Sequence, residues 1–323
     1  MSKSICWSVA LALVACAPSL AATVPGTGTL PADCNRECLY GVMDQFIAGL
    51  ERRDATRVPW APNAKYTENN VQLAIGDGVF ATATAIGKYR LKFADLREGQ
   101  VGLFGEVQET NDTSAFGLRL KVVNRYIAEA EMVIVRIADF PAIGGGVNPF
   151  ANPTFVDTPI LSQVLKPAER TPRERMISVA DGYFDTLQLN DGKLFTEFHP
   201  DCNRIENRLQ TTNNATKPLG PYSALGCADQ FKLGVYRYDD RLRARRFPLI
   251  DEELGIVLAG GFIDHAGRLG SYQLTDGTMA ESPLRRPHSF VLLEAFKVMD
   301  GKLRQIEAVF INVPYNMQSP WGP

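Results

Sequence analysis

Apolar residues fall at helical spacing in two stretches of the chain. In the first, Leu39, Val42, Met43, Phe46, Ile47 and Leu50 share one face of a helix between Cys34 and Arg53, and Asp33 is placed to cap its start. In the second, Met176, Val179, Tyr183, Phe184 and Leu187 form a comparable face. After the first helix the period changes to two. Residues 64–68 predict a strand, Asn69-Asn70 a turn, and 71–75 the return strand. Gly76-Asp77-Gly78 interrupts the pattern before a short helical segment, and strands are expected over 89–93, 101–107, 116–122 and 128–136. Residues 138–170 break the periodicity. Pro141, Pro149, Pro153, Pro159 and Pro167, with Gly144-Gly145-Gly146, read as a linker.

The second half repeats the first. Glu68-Asn69 recurs as Glu206-Asn207, 138 positions on, and Asp95 and Gly99 recur as Asp251 and Gly255, 156 on. Lys121-Val122 and Glu131 recur as Lys297-Val298 and Glu307, 176 on. The order is kept and the offset only grows, so the second copy carries insertions of about 18 and about 20 residues. They fall near 208–246 and 266–288. Each copy is a helical region followed by strands, with no further long helix. That is an α+β pattern, expected as two tandem cone-shaped units over 34–137 and 171–316, followed by a tail at 317–323. Each cone is a curved antiparallel sheet with helices on one face, and the two pack as an intrachain pseudo-dimer. A curved sheet with helices across its open side encloses a pocket suited to a small apolar ligand.

Charge and cysteines narrow the setting. Lys and Arg number 34 against 36 Asp and Glu, a net charge of -2, so no basic surface points to nucleic acid or acidic lipid. Residues 1–22 read as an export signal, with Lys3, an apolar run from Ile5 to Val14, and Ser19-Leu20-Ala21 at the cleavage site. That run is too short to span a bilayer, and no later segment reaches spanning length. Residues 23–33 read as a tether. The chain is therefore expected to be secreted or periplasmic. Leu13-Val14-Ala15-Cys16 resembles a bacterial lipobox, which would instead anchor the protein through Cys16. Beyond the leader remain Cys34, Cys38, Cys202 and Cys227, with three possible connectivities. Cys202–Cys227 is the favoured pair, stapling a long loop. Cys34 and Cys38 can pair only if the turn holding them is not regular helix. The spacing does not fit a zinc site.

The residues from Asp54 through Ala61-Pro62 and Ala64-Lys65-Tyr66-Thr67-Glu68-Asn69, continued by Leu120-Lys121-Val122 and Glu129, Glu131 and Val133-Ile134-Val135, resemble the nuclear transport factor 2-like, or SnoaL-like, fold. That superfamily includes ketosteroid isomerases, polyketide cyclases, scytalone dehydratase and pocket proteins without activity. The resemblance covers about 34–137 and 174–316. The tandem form, with Thr67-Glu68-Asn69 and Asp201-Cys202-Asn203-Arg204-Ile205-Glu206-Asn207, also resembles a family of secreted bacterial and fungal proteins. The isomerases imply a helix tyrosine that donates to a developing oxyanion, matching Tyr183, with Phe46 in the first copy. They imply a general-base carboxylate at the end of the first strand, matching Glu206 and Glu68. They also imply a second acid on a later strand, matching Glu294, with Leu118 in the first copy. The isomerases use Asp where both candidate carboxylates here are Glu.

The residues themselves point to acid–base chemistry. A carboxylate in an apolar cone loses hydration, its charged form is disfavoured and its pKa rises toward the working range of a general acid or base. All three histidines, His199, His265 and His288, lie in the second copy and suggest a His/acid pocket there; for each, a surface or loop placement is the alternative. Asp264-His265 ends a strand, so only one of the two side chains can face inward. Arg241, Arg243, Arg245 and Arg246 form a basic cluster that could clamp a carboxylate or phenolate, or simply sit at a solvated strand start. Asp264, Arg246 and Glu68 are thus candidate substrate contacts, with a structural ion pair as the alternative for Arg246 and a structural acid for Glu68. No Gly-rich phosphate loop, serine elbow or His-Glu-x-x-His motif occurs, so no cofactor or metal is indicated. Two functions stay open: a cofactor-free isomerase or lyase acting in the second cone on a small hydrophobic or aromatic oxygenated compound, and a secreted binding protein without turnover. A polar pocket with a raised-pKa carboxylate favours the first; an apolar pocket with Glu206 ion-paired favours the second. A structural pseudo-dimer becomes the better account if side chains fill both cones.

Overall fold

A computed structural model describes residues 34–110, 112–136 and 158–322. The expected leader, its lipobox, the tether and most of the linker lie outside these residues. The first helix, α1 (Arg36–Arg52), carries the expected apolar face. Asn35 caps it, its side chain accepting from the Cys38 amide at 3.0 Å. Cys34 precedes that cap and is not helical, which meets the condition for pairing, and a Cys34–Cys38 disulfide joins it to the first turn. The chain continues through β1 (Trp60–Glu68), β2 (Val71–Leu73), α2 (Val79–Thr82), β3 (Ala83–Asp95), β4 (Gln100–Glu109), β5 (Asp112–Val123) and β6 (Tyr126–Val135). These strands form one six-stranded sheet in the order β2-β1-β6-β5-β4-β3.

A short α3 (Pro159–Ser162) leads to α4 (Arg173–Leu189), which has the same length as α1. Then come β7 (Phe198–Glu206), β8 (Leu209–Gln210), α5 (Cys227–Leu233), β9 (Arg241–Asp251), β10 (Ile256–His265), β11 (Ser271–Gln273), β12 (Met279–Glu281), β13 (His288–Met299) and β14 (Lys302–Val313). The second sheet runs β8-β7-β14-β13-β10-β9, the order of the first. The register repeats as well. Glu68 lies opposite Met132 as Glu206 lies opposite Ala308, and Gln100 opposite Lys121 as Ile256 opposite Lys297. Two similar α+β halves are therefore present. One expectation needs correction: the sheets are mixed, not antiparallel. β1 pairs parallel to β6, and β7 parallel to β14. Alternating polarity marks which face a residue takes and carries no record of the direction of the neighbouring strand.

Each helix covers one face of its own sheet, and the other faces cover each other. On β6, Ala130, Met132 and Ile134 join the core under α1, while Val133 and Val135 point the opposite way. There they meet Leu209, Leu249, Leu258, Val291 and Leu293 of the second half, with Phe93 and Phe104, in one shared apolar layer. Leu161, from the C-terminal part of the expected linker, is buried in that layer. Around it sit reciprocal polar clamps. Arg36 grips Asp251 with both Nη atoms, at 2.6 and 2.9 Å, and Arg173 bonds Asp95 at 2.5 Å. Asp251 also accepts from the Ala94 amide at 2.8 Å, and Asp95 from the Ile250 amide at 2.9 Å. Asp95 and Asp251 are the repeat-equivalent pair, so this is a two-fold, self-complementary contact inside one chain. Beside it Arg246 and Arg119 share the buried Glu131. Burial alone would push the Glu131 carboxyl up; the two guanidiniums hold it below the usual range. The C-terminal segment also crosses to the first half, where the Trp321 ring lies against Lys65 and Arg119.

Breaking a buried, hydrogen-bonded ion pair leaves an uncompensated charge and costs about 3–5 kcal/mol. Asp95→Ala and Asp251→Ala should each lose stability on that scale by denaturant unfolding, and by similar amounts. Glu98→Ala, beside the clamp but exposed, should change it by less than about 0.5 kcal/mol. An Asp variant that unfolds like the wild type would mean that the clamp does not support the join.

Candidate functional site

Between α4 and the inner face of the second sheet lies a cavity of about 360 Å³. Its polar lining comes from strand alternation. On β7, Cys202, Arg204 and Glu206 share the inner face, and on β13, Leu292, Glu294 and Phe296 do the same. Tyr183 projects from the buried face of α4. The structure thus brings Tyr183, Glu206 and Glu294 to one cavity, as the sequence predicts. Apolar walls come from Leu187, Ile263, Leu292, Phe290, Ala308 and Phe310.

The sequence reading missed Arg204, Tyr236, Tyr238 and Asp239, which line the same cavity. Arg204 bonds Glu206 at 2.5 Å and Gln230 at 3.3 Å, and its guanidinium lies over the rings of Phe231 and Tyr236. Burial works against its charge, but Glu206 and the two tyrosines hold its pKa above the ordinary value. The signal for Arg204 was available: two residues before Glu206 on a strand is the same face. Tyr236, Tyr238 and Asp239 come from the first insertion, which has no counterpart in the first copy.

The two insertions roof the cavity. The first carries α5, tied to β7 by the Cys202–Cys227 disulfide. The second folds into the β11–β12 hairpin. They pack on each other through Val235, Tyr272, Leu274 and Ala280, and place Leu219 and Pro283 over the cavity.

Burial pushes the Glu294 carboxyl up to about 8, against the pull of Arg204 and a hydrogen bond from Tyr183. Burial also raises the Tyr183 hydroxyl well above its ordinary value and Tyr236 to about 12. Asp239 is raised by burial, against a contact with His265 at 3.1 Å.

The remaining candidates sit elsewhere. His265 shares the inner face with Ile263 but lies behind Phe290, its ring 4.7 Å from that of His288. Burial lowers the His288 pKa. His199 is at the start of β7, accepting from the Asp201 amide at 3.1 Å, outside the cavity lining. Asp264 points to the opposite face from His265, and both are buried. It binds Arg241, Arg243 and Ser289. Arg246 is held by Glu131 of the first half. Glu68 accepts from the Val79 amide at 2.7 Å and pairs with Arg136 at 2.9 Å.

The equivalent interior of the first half is packed. Phe46, Tyr66 and Leu118 stand where Tyr183, Arg204 and Glu294 stand in the second. The Phe46 ring meets Phe80 at 5.2 Å and Trp60 at 5.7 Å. Among the described residues no cluster of His, Cys, Asp and Glu is arranged to hold a metal ion, and no helix is long and apolar enough to cross a membrane. The two disulfides fit an exported chain.

A domain family of unknown function (DUF8021) matches residues 169–310, less than half of the chain and all within the second half. No curated protein sequence matches. Among solved structures, AclR from Streptomyces galilaeus is 15% identical, covering 34% of this chain and 91% of its own, with a TM-score of 0.28. A steroid delta-isomerase from Pseudomonas aeruginosa is 13% identical over 34% of this chain and 85% of its own, with a TM-score of 0.27. A de novo designed protein with a curved β-sheet is 14% identical, over 31% of this chain and 88% of its own, with a TM-score of 0.26. Likeness at this level says nothing about what the chain does.

The raised Glu294 carboxyl has a consequence for stability. Its folded pKa, about 8, exceeds the ordinary 4.5. The folded state therefore holds a proton that the unfolded state releases between those values. The stability from this group is fully present below about pH 4.5 and is lost as pH rises through about 8. Denaturant unfolding between pH 5 and 9 should show wild-type stability falling relative to Glu294→Gln. Parallel pH profiles would mean that Glu294 is ionised in the folded protein at neutral pH.

Proposed function

We propose that the second half is a cofactor-free acid–base enzyme, of isomerase or lyase type, acting on a small hydrophobic or aromatic oxygenated compound. Support comes from one observation above all: two carboxyl groups in different electrostatic settings share one cavity with a buried tyrosine. Glu206 lies against the Arg204 guanidinium, while Glu294 is held protonated at neutral pH by burial. A carboxyl group set against a cation and a second one held neutral in the same cavity can divide base and acid roles. In this reading Glu206 takes a proton from carbon next to a carbonyl. Tyr183 and protonated Glu294 donate hydrogen bonds to the oxygen on which charge develops. Arg204 fixes the direction of Glu206 and is a positioning residue. Oxygenated ring compounds fit the apolar walls and the polar floor. The resemblance to the nuclear transport factor 2-like superfamily agrees with this assignment and adds no residue to it.

The ion pair on Glu206 is also what a binding protein without turnover would have, so that reading stands second. Deuterium uptake from D2O at the carbon next to the carbonyl, followed by NMR on a panel of cyclic enones and aryl ketones, separates the two. Glu206→Gln should slow exchange by about 10²–10⁴-fold while the ketone still binds, and Glu68→Gln should leave the rate unchanged. Binding without exchange in the wild type would put the binding protein ahead.

A further inference from the structure

A second cavity, of about 190 Å³, adjoins the first on the side of the insertions. Leu219, Tyr236, Tyr238 and Pro283 line both, so the two spaces are separated only by side chains of the roof. Their chemistry differs. The inner space has aliphatic and phenylalanine walls over a floor of Tyr183, Arg204, Glu206 and Glu294. The outer one is lined by tyrosine rings with Thr211, Ser223, Gln230 and Glu281 among them.

The aromatic wall of the outer space is held rigidly. Tyr236 donates its hydroxyl to Gln230 at 2.7 Å, and Tyr272 donates to the Val235 carbonyl at 2.7 Å. Tyr238 packs edge-on against both rings, at 6.1 and 6.4 Å. With the Tyr236 and Tyr272 hydroxyls engaged inside the protein, these rings offer a ligand mainly their carbon surface, already oriented. Gln230 is taken up by Tyr236, Thr211 and Tyr222, so hydrogen bonds to a ligand come from groups with capacity left. These are the Ser223 hydroxyl, which accepts from the Leu219 amide and keeps its proton to donate, and at the rim the Glu281 carboxylate, which holds Ser271 and Arg285 and has further lone pairs. A rigid ring wall with hydroxyl and carboxylate groups beside it suits a saturated ring bearing several hydroxyls. Such a ring has C–H faces for the aromatic surface and O–H groups for the rim. A plain hydrocarbon would make no hydrogen bond to the Ser223 hydroxyl or the Glu281 carboxylate.

We infer that the two cavities are subsites of one channel, the inner for an apolar oxygenated ring system and the outer for a hydroxylated substituent such as a glycosyl group. The inference rests on the inner cavity being the ligand site proposed above. Leu219, 38% exposed at the roof, is the partition that such a ligand displaces or passes.

Isothermal titration with 2-naphthol and with 2-naphthyl β-D-glucoside tests it on the full chain. The glucoside should bind at least tenfold more tightly. Tyr222→Ala and Glu281→Ala, which touch only the outer space, should erase that advantage and leave naphthol affinity unchanged. Naphthol binding with an equal or weaker glucoside overturns the outer subsite alone. An advantage that survives both variants overturns it too. Binding of neither probe overturns the inner ligand site and this inference with it.

Discussion

A sheet with apolar residues on both faces needs cover on both, and among the described residues each half has one long helix to supply it. α1 and α4 each cover one face. The other two faces are left to cover each other, and the shared layer of Phe93, Phe104, Leu249, Leu258, Val291 and Leu293 is the result. Charged side chains at the margin of that layer cannot be left unpaired. Asp95 and Asp251 are satisfied by an arginine and by a backbone amide from across the join. Without the other, each half would expose an apolar sheet face and leave a buried carboxylate without its arginine.

On the opposite face, under α1, the interior of the first half is full. Phe46, Tyr66 and Leu118 fill positions that carry Tyr183, Arg204 and Glu294 in the second half. Even the carboxylate retained in both copies has separate duties. Glu68 caps α2 and binds Arg136, while Glu206 faces an open cavity. The insertions belong only to the second half, and they convert an open interior into a roofed one. The interior of the first half is thus packed by apolar side chains, while that of the second leaves room for polar groups around a cavity.

Much of this was legible in the sequence, for physical reasons that can be named. Helical period exposed α1 and α4, and collinear repeats located both insertions and matched Asp95 with Asp251. Export and cysteine parity pointed to Cys202–Cys227. Alternation correctly separated Asp264 from His265, one toward Arg241 and Arg243, the other toward Asp239. It carries no record of partner direction, so it predicts antiparallel sheets where the β1–β6 and β7–β14 pairs run parallel. Asp239 and Tyr236 were hidden because insertions have no second copy to compare. The partners of Arg246 and Arg241 lie 115 and 23 positions away. No local pattern announces such contacts.

The division of labour between the halves is tested most directly by counting occupied sites. Native mass spectrometry of the whole chain with 2-naphthol should show one molecule bound per chain. Ala308→Trp, which fills the inner cavity of the second half, should abolish that binding while the protein stays folded by circular dichroism. Two molecules per chain, or one that persists in folded Ala308→Trp, would contradict the account, because the ligand would then be held outside the inner cavity of the second half.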